Sequence, residues 1–494
     1  MDSPILFWNA VALECNRLDH TGVMAARNQR GPTLSSRALA MVHIALHDAH
    51  ALSENGLTGS TLDAYLPNAR RPTFSQLATS TPPQYAAVAV AAAGSVVLLN
   101  LYANLSGLIN QEFAKFCSMH GSDESAHRFG SAVARAVIDL RKDDGAFPEP
   151  PADHMDSAAR GRHREDPLNS GQGLHGARYG FVRPFAVSTF HALTKYPLLD
   201  SAKYLADLAE VKTKGVTTTS NMNTRTADET VQGTFWAYDG VKDIGTPPRL
   251  YNQVLREVIK PLNLSLTEQA RLFLLANLAM GDAGILAWWY KFHFDLWRPI
   301  VGIREHSNAM GPAALVGSAP IDPPCDPFWR PLGAPKTNSV GARIRSFTPP
   351  FPAYPSGHAT FGAAAFHVAR LYLQSIGKAV IAADKSDNLA FQLVSDEMNG
   401  VSIDPDDTIR PRHMRGFPGL HQAIYENSVS RVFLGVHWRF DGLTGANAAS
   451  MFTNASDGIG GVSLGLKIAD DLASMANLRP SPVSVKPPVF DATP

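Results

Sequence analysis

Cysteine is scarce in this 494-residue chain, which contains only Cys15, Cys117 and Cys325. Three widely spaced thiols are too few for a disulfide framework or a cysteine-based zinc site, so the fold must be stabilised by packing. Net charge is absent as well, because 44 acidic residues balance 44 basic ones. Such a chain has no general attraction for nucleic acid or for an anionic membrane, and we expect small-molecule partners.

The sequence also lacks a recognisable leader or membrane span. Residues 1–8 contain no basic segment, and no adequate apolar core precedes Glu14, so we expect no cleaved signal peptide. The protein would then be cytoplasmic or exported by another route. The runs 86–109 and 272–290 are long and apolar, but alanine and polar residues dilute the first and Asp282 interrupts the second. We interpret both as buried helices.

Alternating strand patterns are scarce and no fixed-period repeat is evident, so we predict a mainly α fold built from helical bundles. The predicted helices are 35–52, 84–110, 111–119, 125–142, 200–211, 248–259, 266–297, 360–375, 389–399, 420–433, 442–455 and 465–475. A chain of this length usually divides into domains, and the polar run 212–228 is the predicted boundary between 1–215 and 216–494. Proline-rich and glycine-rich stretches at 147–183 and 304–351 predict long connecting loops, the first at the surface.

A short motif precedes the helix predicted at 360–375. It reads Tyr354-Pro355-Ser356-Gly357-His358, so a hydroxyl, a flexible turn and an imidazole stand where the helix begins. Ser356 is suited to cap the helix, and the free amides of a helix start attract tetrahedral anions such as phosphate. The plainer interpretation is a capped surface helix with an incidental histidine.

Two cations lie among aromatic residues upstream of this motif. Lys291 and Arg298 are seven residues apart, which would place them on one helical face about 10 Å apart, with Pro299 ending the helix. This arrangement favours an anion site. The alternative is that both cations pair with Asp295, which lies between them at helical spacing.

A third segment lies near residue 435. Arg431 offers a planar fork for paired oxygens, and His437 could act as a ligand or nucleophile. Asp441, one turn further on, is spaced to orient the His437 ring.

Two other features have structural interpretations. His43 and His47 are four residues apart on a predicted helix, but the sequence offers neither a zincin-type glutamate nor a third ligand, so core packing is favoured over a metal site. The charged loop with Arg410, Arg412 and Arg415 is interpreted as a solvated surface.

Taken in order, Lys-x6-Arg-Pro, Pro-Ser-Gly-His and Ser-Arg-x5-His-x3-Asp resemble the signature of the superfamily that joins vanadium-dependent haloperoxidases to type 2 phosphatidic acid phosphatases. Segments 5–9, 235–240, 245–253 and 326–329 also resemble parts of the fungal-type vanadium chloroperoxidases. The resemblance therefore covers most of the chain. It implies two four-helix bundles with long connecting loops, vanadate as cofactor, and hydrogen peroxide, halide and small organic molecules as substrates, while a homo-oligomer is left open.

The resemblance also implies roles at the site. His437 would bond vanadium, and His358 would act on the opposite side as the acid-base catalyst. Lys291 would polarise the bound peroxide, with vanadium acting as a Lewis acid. The oxygens of vanadate would accept hydrogen bonds from Lys291, Arg298, Ser356, Gly357 and Arg431.

Three more residues match the family pattern. Asp239 resembles the aspartate that pairs with the second arginine, here Arg431, although it could be an ordinary surface acid. Trp288 and Phe351 match an apolar wall of the chloroperoxidases. We therefore expect oxidation of bromide and iodide, and of chloride as well.

Two other functions are weighed against this one. A soluble acid phosphatase could use the same donors, with His437 as nucleophile and His358 as the acid for the leaving group. A non-enzymatic oxyanion-binding scaffold would leave both histidines unexplained.

Overall fold

The fold is built mainly from long buried helices. The computed structural model describes residues 2–22, 26–74, 80–147, 154, 157–315 and 320–488. The α-helices of the described residues are α1 (Pro4–Asp19), α2 (Gly31–Thr58), α3 (Pro82–Leu101), α4 (Ser106–His120), α5 (Glu124–Arg141), α6 (Ala202–Lys214), α7 (Ala227–Phe235), α8 (Pro247–Ile259), α9 (Leu266–Phe294), α10 (Pro299–Arg304), α11 (Gly357–Ser375), α12 (Leu420–Phe433), α13 (Arg439–Gly442), α14 (Ala448–Asn454) and α15 (Gly460–Ser474). The short 3-10 helices are Asn68–Arg70, Ala103–Leu105, Tyr179–Phe181, Asp396–Met398 and Ala455–Asp457. The mainly α prediction is confirmed.

Helix α9 lies at the centre of the molecule. A capping box of Ser265 and Glu268 starts it, and its side chains are nearly all buried against α2, α11 and α15. The predicted end at residue 297 was wrong. The helix ends at Phe294 because Asp295 adopts a left-handed conformation (φ 51°), and Arg298 is the N-cap of α10. Lys291 and Arg298 therefore lie on different helices.

Helices α11 and α15 cross closely near the start of α11. The close approach depends on two glycines, Gly461 and Gly465, since a Cβ atom at either would lie within 2.6 Å of an atom of Ser356 or Thr360. Helix α11 begins three residues earlier than predicted, with Ser356 as its N-cap. The glycines thus set how α15 supports that N-terminus.

The N-terminal part is a set of helices packed around α3, which contacts α1, α2, α4 and α5. Helix α3 and helix α9 are long and apolar enough to cross a membrane, but both are mostly buried inside the protein, which agrees with their interpretation as core helices. The single helix predicted at 84–110 was wrong, because α3 ends at Leu101 and α4 starts at Ser106.

A small sheet replaces one predicted helix. Strands β1 (Phe391–Val394) and β2 (Met414–Phe417) pair antiparallel, so the helix predicted at 389–399 was wrong. The two strands stack Phe391 on Phe417, with ring centroids 4.8 Å apart. Cross-strand aromatic pairing of this kind stabilises a strand over a helix.

The charged loop between these strands is not wholly solvated as predicted. Arg410 is buried, and its guanidinium pairs with Glu397 and Asp404. Arg415 pairs with Asp228 and Glu426. Of the three arginines, Arg412 is the exposed one.

Part of the predicted surface loop 147–183 packs into the protein. Residues 148–153, 155 and 156 of this loop, and 316–319 of the loop 304–351, lie outside the described residues. His163 and Tyr179 are buried, and His163 N donates to Asp295 O, so the first loop covers the chain between α9 and α10. The predicted boundary segment, 212–228, spans the end of α6, a connection and the start of α7, and the domain division stays a prediction.

Candidate active site

The N-terminus of α11 forms one side of the site. Ser356 Oγ accepts from Ala359 N, and Ser356 N donates to Asp441 O at 2.7 Å. At Gly357, a Cβ atom would lie 3.2 Å from the Trp288 ring, so glycine lets the indole pack against the helix start. These contacts hold the N-terminal turn rigidly beside the imidazole of the next residue, His358.

His358 is buried and held in a defined tautomer. Its Nε2 lies 2.6 Å from Ala237 O, and because a carbonyl only accepts, Nε2 carries the proton and Nδ1 is left as the acceptor. Burial, followed by the charge of Arg431, holds the pKa of His358 well below its usual value. The ring is therefore neutral near pH 7 and able to accept a proton.

His437 is fixed at both ring nitrogens. Its Nδ1 donates to Asp441 Oδ2 at 2.8 Å, and Arg298 Nη1 donates to its Nε2 at 3.0 Å. Burial and the neighbouring cations, Arg298 first, hold its pKa well below the usual value. The spacing argument for Asp441 therefore corresponds to a contact in the structure, and burial raises the pKa of this carboxyl to about 8.

Two arginines near the histidines each have an N–H donor that is not used within the protein. Arg298 donates to the carbonyls of Phe351 and Val436 and to His437, and Arg431 forms a two-bond pair with Asp239 at 2.7 and 3.1 Å. Arg298 Nη2 and Arg431 Nε are buried and have no hydrogen-bond partner among the described residues. Because buried donors are normally satisfied, these two atoms indicate a bound acceptor.

Lys291 is buried, but its hydrogen bonds differ from the expectation that it donates directly to an anion. Its Nζ donates to the backbone carbonyls of Pro352, Ala353 and Pro355 at 2.6–3.1 Å, so all three of its N–H groups have acceptors in this structure. Burial and then Arg298 lower its pKa well below the usual value. The ammonium fixes the segment that leads into α11.

Asp295 does not pair with Lys291 or Arg298, so that alternative was wrong. Its carboxylate lies 3.3 Å from His154 Nε2. The left-handed turn at Asp295 is what separates the two cations onto α9 and α10. Their charges are therefore left for other acceptors.

An aromatic wall covers the cations. The rings of Trp288 and Phe351 lie 4.9 Å apart, and Phe351 has Lys291 Nζ at 5.0 Å and the Arg298 guanidinium at 4.9 Å from its centroid. Such contacts partly compensate a desolvated cation. The wall keeps this side of the pocket apolar, as expected for Trp288 and Phe351.

The residues singled out in the sequence are thus brought together by the fold. A cavity of about 730 Å³ includes Gly357, His358, Arg431, His437 and Asp239 in its lining, together with Trp288 and Phe351. Lys291, Arg298 and Ser356 lie behind this lining and reach it through the contacts above. Sequence reasoning missed Ala237, whose contribution is a backbone carbonyl and leaves no signature in residue type.

Glu397 is a further residue that sequence reasoning missed. It is fully buried and accepts from Tyr238 N, from Thr337 Oγ1 and from Arg410. Tyr238 adopts a positive φ of 43°, which turns Ala237 and Asp239 toward His358 and Arg431. The acidic residue lies in a segment that the sequence pattern had assigned to a helix, so it carried no signal.

The mainly α fold brings together neutral imidazoles, buried arginines with unpartnered donors and a helix N-terminus. Such a site defines a class of enzymes that act on or through an oxyanion. Family models for the "Vanadium chloroperoxidase N-terminal domain" and the "VCPO second helical-bundle domain" match residues 2–169 and 271–457. A vanadium chloroperoxidase from Curvularia inaequalis is 31% identical, over 98% of this chain and 91% of that protein. The chain belongs to the vanadium-dependent haloperoxidases, enzymes that oxidise halide with hydrogen peroxide.

Solved structures share the fold. A bacterial vanadium-dependent iodoperoxidase is 18% identical with a TM-score of 0.63, covering 96% of this chain and 97% of its own. The holo form of a bacterial vanadium-dependent chloroperoxidase is 14% identical with a TM-score of 0.56, covering 92% and 95%. The relatives are vanadium enzymes, so vanadate is the cofactor that the family implies.

Proposed function

We propose that this chain binds vanadate at His437 Nε2 and uses it to oxidise bromide, iodide and chloride with hydrogen peroxide. The observation that carries the proposal is the pair of buried donors, Arg298 Nη2 and Arg431 Nε, beside two neutral imidazoles. A multiply charged oxyanion is the acceptor that satisfies both guanidinium groups.

The residues present fit vanadate. Neutral His437, with its proton on Nδ1 and that proton held by Asp441, offers the Nε2 lone pair as a metal ligand. Arg298 Nη1 now donates to this nitrogen and would turn to an oxygen of the bound group. Ser356 and the Gly357 amide supply neutral donors from the helix start.

When bound, vanadate supplies a Lewis acid that makes peroxide electrophilic toward halide. His358 is set to accept a proton at Nδ1 as peroxide arrives, since its Nε2–H is held by Ala237 O. A bound anion beside the ring raises the His358 pKa from its low value in the free protein, because opposite charge favours imidazolium. Nδ1 of His358 would then return the same proton to the hydroxide that peroxide replaces, so that it departs as water.

Lys291 has a more conditional role than the resemblance implies. To donate to a peroxide oxygen, its ammonium must exchange one of the three carbonyls that it now contacts. The positive charge of Lys291 nevertheless acts on a bound anion without a direct hydrogen bond, because the surrounding pocket is buried and apolar.

The choice of halide follows from the aromatic wall. Trp288 and Phe351 limit the solvation of His358 and of the oxidant, which increases the electrophilicity of the oxidant. We expect bromide and iodide oxidation near neutral pH and chloride oxidation at mildly acidic pH. Good bromide turnover without chloride turnover at pH 5 would remove chloride from the proposal.

The test is bromination of a dye indicator with peroxide, with and without added vanadate. His437→Ala should abolish the vanadate-dependent rate, whereas His127→Ala, at an exposed position of α5, should retain it. Full activity in the His437→Ala variant would refute the role of that residue.

Hydrolysis of a phosphate ester, measured on the same preparations, tests the acid phosphatase alternative. The pocket also accepts phosphate in principle, with His437 as nucleophile. We expect weak hydrolysis by vanadate-free protein and inhibition of it by vanadate. Strong hydrolysis without any bromination would favour the phosphatase.

A further inference from the structure

The cavity beside the site is much larger than its inorganic substrates need. Its volume of about 730 Å³ falls in the usual range for sites that bind organic molecules. Its lining extends from His358 and His437 to the exposed residues Arg30 and Lys242, which mark the opening to solvent. An organic molecule therefore has room to reach the place where the oxidised halogen is formed.

The lining is strongly cationic. Its charged residues are Arg27, Arg30, Lys242, Lys336, Arg431 and Asp239. The single carboxylate, Asp239, already accepts two hydrogen bonds from Arg431. Arg27 donates to the backbone carbonyls of Gly240 and His20, which orient its charge without neutralising it. Excess positive charge in a concave site favours an anion.

Lys336 is the cation best placed to contact such an anion. It is half-buried, and its Nζ lies 4.2 Å from the centroid of the Phe347 ring, another residue of the lining. Burial and then Arg27 lower its pKa, while Asp166 and Asp239 oppose them. Asp166 is engaged with the amides of Leu168 and Thr348. The ammonium is thus partly desolvated and not neutralised by the cavity wall.

The rest of the lining suits an aromatic ring. Its aromatic members are Trp288, Phe347, Phe351 and Phe361, and several prolines lie among them. Among them lies Gln172, whose amide nitrogen and oxygen are buried without a hydrogen-bond partner in the described residues. The Gln172 amide nitrogen can donate a hydrogen bond to an oxygen of a bound ligand.

We propose that the cavity is a binding site for an organic substrate with an electron-rich aromatic ring and a carboxylate. The carboxylate pairs with Lys336 and Arg27, and the ring lies against the apolar wall. This inference rests on the proposed function, which supplies the oxidised halogen. Halogenation then takes place on a bound molecule rather than only on molecules in bulk solution.

The reaction balances with hypobromous acid as the oxidant. A ring carbon attacks bromine, so that a carbon–bromine bond forms while the oxygen–bromine bond breaks. The ring then loses its proton to the departing hydroxide, which gives the aryl bromide and water. Bromine is reduced and the ring is oxidised by the same two electrons.

Binding is tested first on the vanadate-free protein, with 3-methoxyphenylacetate and its neutral amide as probes in calorimetric titrations. We expect the acid to bind about fivefold more tightly than the amide, as for one partly exposed ion pair. Lys336→Met should remove the difference, and Lys142→Met, an exposed lysine after α5, should preserve it. Equal binding of acid and amide by the wild-type protein would overturn the proposal.

The second test uses vanadate-loaded enzyme with peroxide, bromide and both probes in competition. The ratio of brominated acid to brominated amide should exceed that given by reagent hypobromous acid about fivefold. In Lys336→Met it should fall to the reagent ratio, while oxidation of iodide to triiodide stays within twofold. A reagent-like ratio in the wild type, or a Lys336→Met variant that changes only the KM for bromide, overturns the proposal. Absence of triiodide formation would instead refute the proposed function, and the titrations would still decide on the cavity.

Discussion

The His437 ring illustrates how a site residue depends on a neighbour that never meets the substrate. Asp441 Oδ2 accepts from His437 Nδ1 and from Trp438 N, so one oxygen of this carboxyl group sets both the tautomer and the orientation of the ring. A spacing of four residues was enough to predict this pair. The carbonyl partners of Lys291 could not be predicted in the same way, because backbone acceptors depend on where a distant loop passes.

Replacement of Asp441 tests this arrangement. Asp441→Asn should weaken vanadate binding about 10–100-fold, since the amide supports the Nδ1–H tautomer less strongly. The measurement is bromination rate against vanadate concentration, supported by equilibrium binding of vanadate. Asp139→Asn, at an exposed position of α5, is the control. An unchanged vanadate affinity in Asp441→Asn would contradict the orienting role.

At the scale of single elements, apolar periodicity located most helices but not their breaks. Helix α12 has its predicted bounds, Leu420–Phe433. For α9 the predicted helix continued past its observed end at Phe294. The break depends on one left-handed residue, Asp295, whose conformation is stabilised by tertiary contacts. The helix predicted at 389–399 failed because pairing with a distant strand decided the outcome.

The crossing of α11 and α15 gives the prediction at this scale. A Cβ at Gly465 would lie 2.6 Å from Thr360 O and 2.8 Å from Ala364 N, and backbone atoms cannot move aside without shifting a helix. Gly465→Ala should therefore lower the free energy of unfolding by about 1–3 kcal/mol.

The control for that variant is another helical glycine. Gly107 in α4 has no atom within 4 Å of its would-be Cβ, so Gly107→Ala should leave stability unchanged or raise it by about 0.5–1 kcal/mol. Urea unfolding of both variants is the measurement. Equal stabilities for the two variants would show that the helix crossing tolerates a methyl group.

At the scale of the whole molecule, buried neutral histidines link stability to pH. His43 donates from Nδ1 to Leu39 O, and its Nε2 faces the amide nitrogen of Asn9 at 3.0 Å, an arrangement that needs a neutral ring. Burial lowers its pKa to about 4. His43 therefore takes part in core packing, which was the favoured interpretation of the His43 and His47 pair. His47 contacts Asp48.

The pH dependence has a defined sign. Between pH 6.5 and about 4 the unfolded chain binds a proton at His43 that the folded protein does not, so stability falls as the pH falls through this window. His43→Gln should reduce the slope of unfolding free energy against pH by up to about 1.4 kcal/mol per pH unit. His127→Gln, at an exposed position, should leave the slope unchanged. The measurement is urea unfolding at pH 7.5, 6.5, 5.5 and 4.5, and identical slopes in all three proteins would contradict the assignment.

The cavity wall is contributed by several stretches that lie far apart in the sequence. Arg27, Arg30, Gln172 and His175 come from the N-terminal part of the chain, whereas His358, Arg431 and His437 come from the C-terminal part. The two parts are in contact, since the carbonyl of His175 accepts from Trp288 Nε1 of the aromatic wall at 3.2 Å. Residues that are more than 150 positions apart therefore form one cavity, and a substitution at Arg30 changes its opening without replacing any residue around the two histidines.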